Sequence, residues 1–187
     1  MRILNGKYKG KKIQTLNKSF LRPTTSKTRE AIFNILENNE YFKNINFAEA
    51  VFLEIFCGSA IVSFEAYSRG FKKIILIDNN EEIRGLFDKN IQLFTREDFD
   101  FLKYDALKLS QTAMKADICF MDPPYDKNYT EKILKNLHEN SLINKNAIII
   151  VEVRKNTPIN YGLEYEIICN KTYGNSQLIF FYYQGKD

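Results

Sequence analysis

An α/β protein built on one doubly wound, mostly parallel sheet is predicted by three features of the sequence. Short apolar runs alternate with segments of helical period along most of the chain, and an acidic residue stands at or near the end of each of the first four runs. The end of the chain breaks the rhythm, because Tyr165 to Cys169 and Leu178 to Tyr183 are strand-like runs with too few residues between them for a helical crossover. The 187 residues are 44% hydrophobic and 27% charged, which suits one buried core and excludes both wholesale disorder and a disulfide-stapled mini-protein.

The elements follow in order. After Arg22-Pro23, the hydroxyls of Thr24, Thr25 and Ser26 offer N-caps to a helix with Ala31, Ile32, Ile35 and Leu36 at a 3.6-residue period, ending near Asn38-Asn39. Ala50 to Phe56 reads as a buried strand that stops at Gly58, and Ile61 to Arg69 as the helix after it, stopped by Gly70. Lys73 to Asp78 is a second strand, and Glu81 to Phe94 a helix with Ile83, Leu86, Phe87 and Ile91 on one face. Phe99 to Tyr104 alternates weakly, Ala116 to Met121 is a fourth strand, Tyr129 to His138 is helical, and Ala147 to Val151 is a fifth strand. Each crossover lays a helix against the sheet, so these strands are parallel and buried on both faces. The last two runs form an antiparallel hairpin. A seven-stranded, mostly parallel sheet ending in such a hairpin narrows the doubly wound folds to the class I methyltransferase pattern, Rossmann-like in its wiring.

Charge is placed unevenly. From Met1 to Arg29 there are nine Lys or Arg and no Asp or Glu, leaving 18 basic against 23 acidic groups in the rest of a chain whose net charge is +4. Such a field draws polyanions by counterion release, so nucleic acid is the expected partner. Asn5-Gly6 is a hairpin-turn signal between Arg2-Ile3-Leu4 and the basic stretch, and with Tyr8 and Phe20 it predicts an ordered arm. The expected organisation is a small basic hairpin-and-helix extension over residues 1–40 and a Rossmann-like domain over residues 41–187. The three cysteines lie far apart without CxxC spacing and there is one histidine, so neither a disulfide framework nor a metal site is expected. With no apolar run long enough for a membrane span, a cytoplasmic protein is expected, and nothing demands more than a monomer.

In open α/β sheets the ligand sits beyond the carboxyl ends of the strands. Here those ends carry Glu54, Asp78, Asp105 and Asp122. In Glu54-Ile55-Phe56-Cys57-Gly58-Ser59-Ala60, Gly58 permits a sharp turn and close approach of a ligand to the backbone, while the lack of further glycines argues against a pyrophosphate site. Asp78-Asn79 follows Gly58 at the distance where an acid accepts from ribose hydroxyls, and Asp105-Ala106 is placed to take an adenine amine. A ribose and an adenine without phosphate describe S-adenosylmethionine. Asp122-Pro123-Pro124-Tyr125 follows an apolar strand directly. Its prolines fix φ and leave rigid carbonyl acceptors, so Asp122 and Pro123 can accept the two hydrogens of an exocyclic amine while Tyr125 stacks on the base. Cys119 lies inside the strand, which disfavours a covalent cysteine mechanism.

The sequence resembles the RsmD family, bacterial methyltransferases of the exocyclic N2 of one guanine in 16S ribosomal RNA. The likeness runs through Arg2 to Gly10, Arg22 to Thr25, Arg29 to Leu36, Leu53 to Gly58, Glu65 to Gly70, Asp122 to Tyr125 and Tyr173 to Ser176. It departs at the cofactor loop, where Glu54, Ala60 and Ser63 replace the more usual Asp and small glycines. The resemblance implies an S-adenosylmethionine-dependent enzyme acting on 16S rRNA or the assembling 30S subunit, with phosphates gripped by Lys7, Lys9, Lys11, Lys12, Arg22 and Thr24. Two rivals share parts of the pattern: a DNA adenine-N6 methyltransferase, which uses the same tetrapeptide, and a catalytically silent rRNA-binding assembly factor, which needs only the basic arm.

Overall fold

A computed structural model describes residues 1–16, 24–43, 45–110, 115–124 and 129–185. Its centre is a seven-stranded sheet formed by β1 (Val51–Ile55), β2 (Lys73–Asp78), β3 (Phe99–Lys103), β4 (Ala116–Met121), β5 (Ile143–Arg154), β6 (Tyr165–Tyr173) and β7 (Ser176–Tyr183) in the order β3-β2-β1-β4-β5-β7-β6. The first five strands are parallel, and β7 lies antiparallel between β5 and β6. The chain order reverses between β1 and β4, so the crevice of a doubly wound sheet opens above those two strands.

Both faces of the central strands are buried, whereas the edge strand β6 is largely exposed. Phe52, Ile74, Leu76, Ile118, Phe120, Ile148, Ile150 and Phe180 face one core with α1 (Ser26–Asn38), α2 (Ile61–Ser68) and α3 (Glu81–Asn90). Ile55, Ile77, Cys119, Met121, Ile149, Val151 and Phe181 face the other, under α4 (Tyr129–Glu139). The continuous apolar runs of the central strands follow from this two-sided burial. Helix α2 is buried nearly all round, seven of its eight residues with Ser63, Glu65 and Ser68 among them, so its polar groups need partners inside the protein.

Helix α1 begins where the hydroxyl pattern puts it: Thr25 is the N-cap, and its Oγ1 accepts from the Thr28 amide at 3.1 Å. It runs antiparallel to β1, since Phe33 stacks on Phe52 near the start of that strand while Arg29, a turn earlier, is in electrostatic reach of Glu54 near its end. Between β3 and β4 the described residues carry only a short 3-10 turn, Ala106–Lys108. An apolar hollow of about 290 Å³ remains beside it, floored by Leu53, Ile75, Ile77 and Leu142.

Over residues 1–16 the amino-terminal arm is ordered, Phe20 lying outside the described residues, but its turn is not the two-residue one that Asn5-Gly6 suggests. Arg2 bridges Lys12, the Ile3 amide donates to the Lys11 carbonyl at 3.1 Å and the Gly10 amide to the Ile3 carbonyl at 2.9 Å, so the loop spans Leu4 to Lys9. The physical reason is docking. Glu65 on α2 accepts from the amides of Leu4 (2.7 Å) and Asn5 (3.0 Å), and Ser68 holds Lys7, Tyr8 and Asn5 through its carbonyl and hydroxyl. Ile3 and Ile13 are buried in the same core as the sheet.

Candidate active site

The turn after β1 is strained. Phe56, Gly58 and Ala60 all take positive φ (60°, 49° and 56°), which curls the chain back so that the Ala60 amide reaches the Cys57 carbonyl at 2.6 Å and α2 can start. The loop is pinned to the end of β2: the amides of Phe56 and Cys57 donate to the Ile77 carbonyl, and the Gly58 amide donates to Asp78 Oδ2 at 3.2 Å. The other Asp78 oxygen accepts from the Asn80 amide at 3.0 Å. Burial raises the Asp78 carboxyl above its ordinary range, against the pull of these amides. Ser59 is half-buried and Asn79 exposed beside it. Asp105 caps the 3-10 turn, accepting from the Leu107 amide at 3.0 Å, with Ala106 buried behind it.

Glu54 behaves differently from the other strand-end acids. It is 3% exposed and points into the sheet-α2 interface, where its carboxyl accepts from the Ser63 amide at 2.9 Å and from the Ser63 hydroxyl. Burial pushes its pKa up to about 8, although both Ser63 bonds favour the charged form. Two of the three departures from the usual loop pattern, Glu54 and Ser63, are therefore partners: the longer acid reaches the hydroxyl that replaces a glycine.

Asp122 is half-buried at the end of β4, Pro123 is buried and Pro124 exposed. Tyr125 and Arg22 lie outside the described residues. Phe56, at the turn after β1, stacks on Tyr129 at the start of α4 with ring centroids 6.0 Å apart, an aromatic wall beside the tetrapeptide that spacing alone did not reveal. Burial holds the thiols of Cys57 and Cys119 protonated, so neither is a ready nucleophile.

The structure thus brings Phe56 to Ser59, Asp78, Asn79, Asp105, Ala106 and Asp122 to Pro124 to one edge of the sheet, the carboxyl edge of its parallel strands. It places most of the arm lysines elsewhere. Lys7 and Tyr8 sit on the last turn of α2, Tyr8 packs on Phe94 at 4.9 Å, and Lys11 Nζ donates to the Leu93 carbonyl at 2.8 Å. Those neighbours precede the starts of β2 and β3, so the loop carrying Lys7, Lys9 and Lys11 occupies the opposite edge, while Lys12 bridges Arg2, whose carbonyl accepts from Arg29 at 3.0 Å, nearer the cleft edge. Thr24 is buried near the cleft edge at the start of α1, its carbonyl accepting from Arg29 at 3.2 Å.

A sheet of this order, with a pinned glycine turn after its first strand and a proline-stiffened acid after its fourth, is a class I methyltransferase fold. Known proteins refine this. The family described as Conserved hypothetical protein 95 matches residues 1–182. A Haemophilus influenzae relative named ribosomal RNA small subunit methyltransferase D is 31% identical over 93% of this chain and 89% of its own, and the Escherichia coli protein of that name is 27% identical over 91% and 86%. Among solved structures, the Escherichia coli candidate methyltransferase yhhF superposes with a TM-score of 0.84 at 24% identity, covering 100% of this chain and 99% of that one. The rRNA methyltransferase aviRa of Streptomyces viridochromogenes shares the fold at a TM-score of 0.69 and 12% identity, over 90% and 88%. The chain belongs to the Conserved hypothetical protein 95 family, which is the RsmD family.

Proposed function

We propose that this protein is an S-adenosylmethionine-dependent rRNA methyltransferase that modifies the exocyclic N2 of a guanine in the 16S rRNA of the small ribosomal subunit. The observation that carries the reading is the position of Asp122-Pro123-Pro124: directly after β4, at the reversal of strand order, beside the loop that Asp78 pins. The names of the relatives support RNA of the small subunit as the substrate.

The residues present suit the cofactor. Asp78 keeps lone pairs beyond its bonds to the Gly58 and Asn80 amides for ribose hydroxyls, Gly58 lets a ligand approach the backbone, and Asp105 with Ala106 borders the adenine position. When bound, S-adenosylmethionine supplies an electrophilic methyl on a sulfonium. The protein's part is orientation and hydrogen bonding. An exocyclic amine is a weak nucleophile because its lone pair is delocalised into the ring. With the Asp122 carboxylate and the Pro123 carbonyl accepting its two hydrogens, the nitrogen pyramidalises and the lone pair is freed along one direction. Asp122 then takes up the proton the amine loses. Pro123 lacks an N–H and is buried, so the turn holds its acceptors without reorganising.

Asp122→Ala should leave calorimetric binding of S-adenosylmethionine within about twofold while lowering methyl transfer by at least about a thousandfold, since it removes an acceptor used in the transition state. Near-normal turnover by that variant would overturn the mechanism. Tritiated-methyl transfer to 16S rRNA, to the small subunit and to duplex DNA tests the substrate; labelling of duplex DNA alone would overturn the reading, and a chain that binds no S-adenosylmethionine would be an assembly factor instead.

A further inference from the structure

We propose that Glu152 reads the Watson–Crick edge of the target base and makes the cleft select a base with two adjacent N–H donors. The inference rests on the reading that this cleft methylates an exocyclic amine, and it names the feature that chooses which one.

The argument starts from sheet register. Leu76, Glu54, Phe120, Ile150 and Phe180 pair in turn across β2, β1, β4, β5 and β7 and form one row on a single face of the sheet. Side chains two residues further along a strand return to the same face. The next row toward the carboxyl edge therefore holds Asp78 on β2, Asp122 after β4, Glu152 on β5 and Leu178 on β7, the last two directly paired. Because Met121 pairs with Val151, Asp122 and Glu152 follow as neighbours on adjacent strands, about 4.8 Å apart in the pairing direction. Glu152 is thus the next carboxyl along from the proposed amine acceptor.

Its environment is unusual for an acid. It is 3% exposed and stands in a strand whose run from Ala147 to Val153 is otherwise apolar and buried. Burying a carboxylate is unfavourable, and an apolar side chain would continue the strand without that penalty. Such a group, one strand over from Asp122 in the same row, is a candidate for recognition of the base.

The chemistry then decides among bases. Guanine presents N1–H beside its N2 amine, so a carboxylate next to the amine acceptor finds a donor. Adenine and cytosine present, beside N6 and N4, a ring nitrogen with a lone pair, which a carboxylate repels. Of the four bases, guanine alone combines an exocyclic amine with an adjacent ring N–H. Asp122 with Pro123 answers the amine, and Glu152 answers its neighbour.

The test uses small subunits reconstituted on 16S rRNA ligated to carry guanine, 2-aminopurine or adenine at the methylated position. 2-Aminopurine keeps the N2 amine and turns N1 into an acceptor. The wild type should prefer guanine over 2-aminopurine by at least about tenfold in kcat/KM, the scale of a lost hydrogen bond to a charged group. Glu152→Gln, whose neutral carbonyl accepts more weakly from a guanine N1–H and whose amide can turn to offer an N–H to the 2-aminopurine N1, should lose rate on guanine and gain on 2-aminopurine, narrowing the preference, with S-adenosylmethionine binding intact. Glu152→Asp should keep the preference at lower kcat/KM. A wild type without the preference, or a Gln variant that slows both substrates equally, would overturn the role of Glu152. A wild type that methylates adenine and not guanine would instead overturn the underlying reading of the cleft.

Discussion

Glu54 carries a carboxyl that its surroundings keep largely protonated at neutral pH. Desolvation in the sheet-α2 interface pushes its pKa from 4.5 to about 8, so the folded protein holds this proton more tightly than the unfolded chain does. A raised acid contributes fully to stability below its unfolded pKa, and that contribution fades as pH climbs from 4.5 toward 8. Glu54→Gln should therefore match the wild type near pH 5 and exceed it increasingly up to pH 8, because Gln still accepts from both Ser63 donors and has no charge to bury. Every tenfold gain in proton affinity on folding corresponds to about 1.4 kcal/mol, so the gap at pH 8 should be a few kcal/mol, read from urea midpoints at the two pH values. Parallel curves across that range would show that Glu54 ionises as freely as in the open chain. The residue scale also shows where the sequence stops being legible. The strand-end positions of Glu54, Asp78 and Asp122 stand out against apolar runs, but the choice between facing a ligand and facing Ser63 depends on a side-chain direction that spacing does not encode. Glu152 offered the same signal after the fifth strand and gained meaning only when register put it beside Asp122.

Among the elements, the amino-terminal arm is the one whose seat the sequence conceals. Its partners Glu65 and Ser68 lie about sixty residues away and engage mostly its backbone, which carries no side-chain signature. Glu65 is fully buried with Arg69 at 3.1 Å, and its oxygens collect the Leu4 and Asn5 amides as well. Removing one side of such a cluster leaves buried donors unmet, so Glu65→Ala should destabilise the protein by about 3 kcal/mol and release the Leu4 and Asn5 amides to hydrogen exchange. Gly6 gives a gentler probe of the same seat. Its φ of +81° is in the left-handed region, and a Cβ there would run into the Ser68 carbonyl, so Gly6→Ala should loosen the arm without touching Glu65. By contrast the central strands are legible because two-sided burial writes them as unbroken Ile, Leu and Phe runs. The exception is the start of β5: Ile143 pairs Ala116 while Ile148 pairs Ile118, and the polar Asn144-Lys145-Asn146 between them is a bulge, with Asn146 at φ 68° and Asn144 tied to Asp117 at 2.7 Å. Polar residues in a bulge read as a loop until pairing is known.

At the scale of the whole molecule, the geometry separates the two roles proposed for the chain, methyl transfer and RNA binding by the arm. The proposed methyl-transfer cleft lies at the carboxyl edge of the strands and the lysine loop at the other, about 20 Å away given strands of five or six residues at roughly 3.3 Å each. A single RNA that engages both must wrap the flank formed by α2 and α3, which a few flexible nucleotides around the target base cannot do. If the arm binds RNA, it grips a remote part of a folded substrate, consistent with a subunit that brings its own shape. Lys7 and Lys9 are exposed on this loop, whereas Lys11 is spent on the Leu93 carbonyl and on the Tyr8 ring at 4.8 Å, so the informative variant is Lys7→Gln with Lys9→Gln. On a short RNA fragment carrying only the target and its immediate neighbours, this variant should match the wild type in kcat/KM. On the intact small subunit it should fall by about tenfold or more at moderate salt, and the slope of log affinity against log salt should flatten by about 0.7 to 0.9 per lost phosphate contact. Equal losses on fragment and subunit would mean that the arm acts through the cleft itself, contrary to the distance between them, and an unchanged salt slope on the subunit would remove RNA from that edge of the molecule.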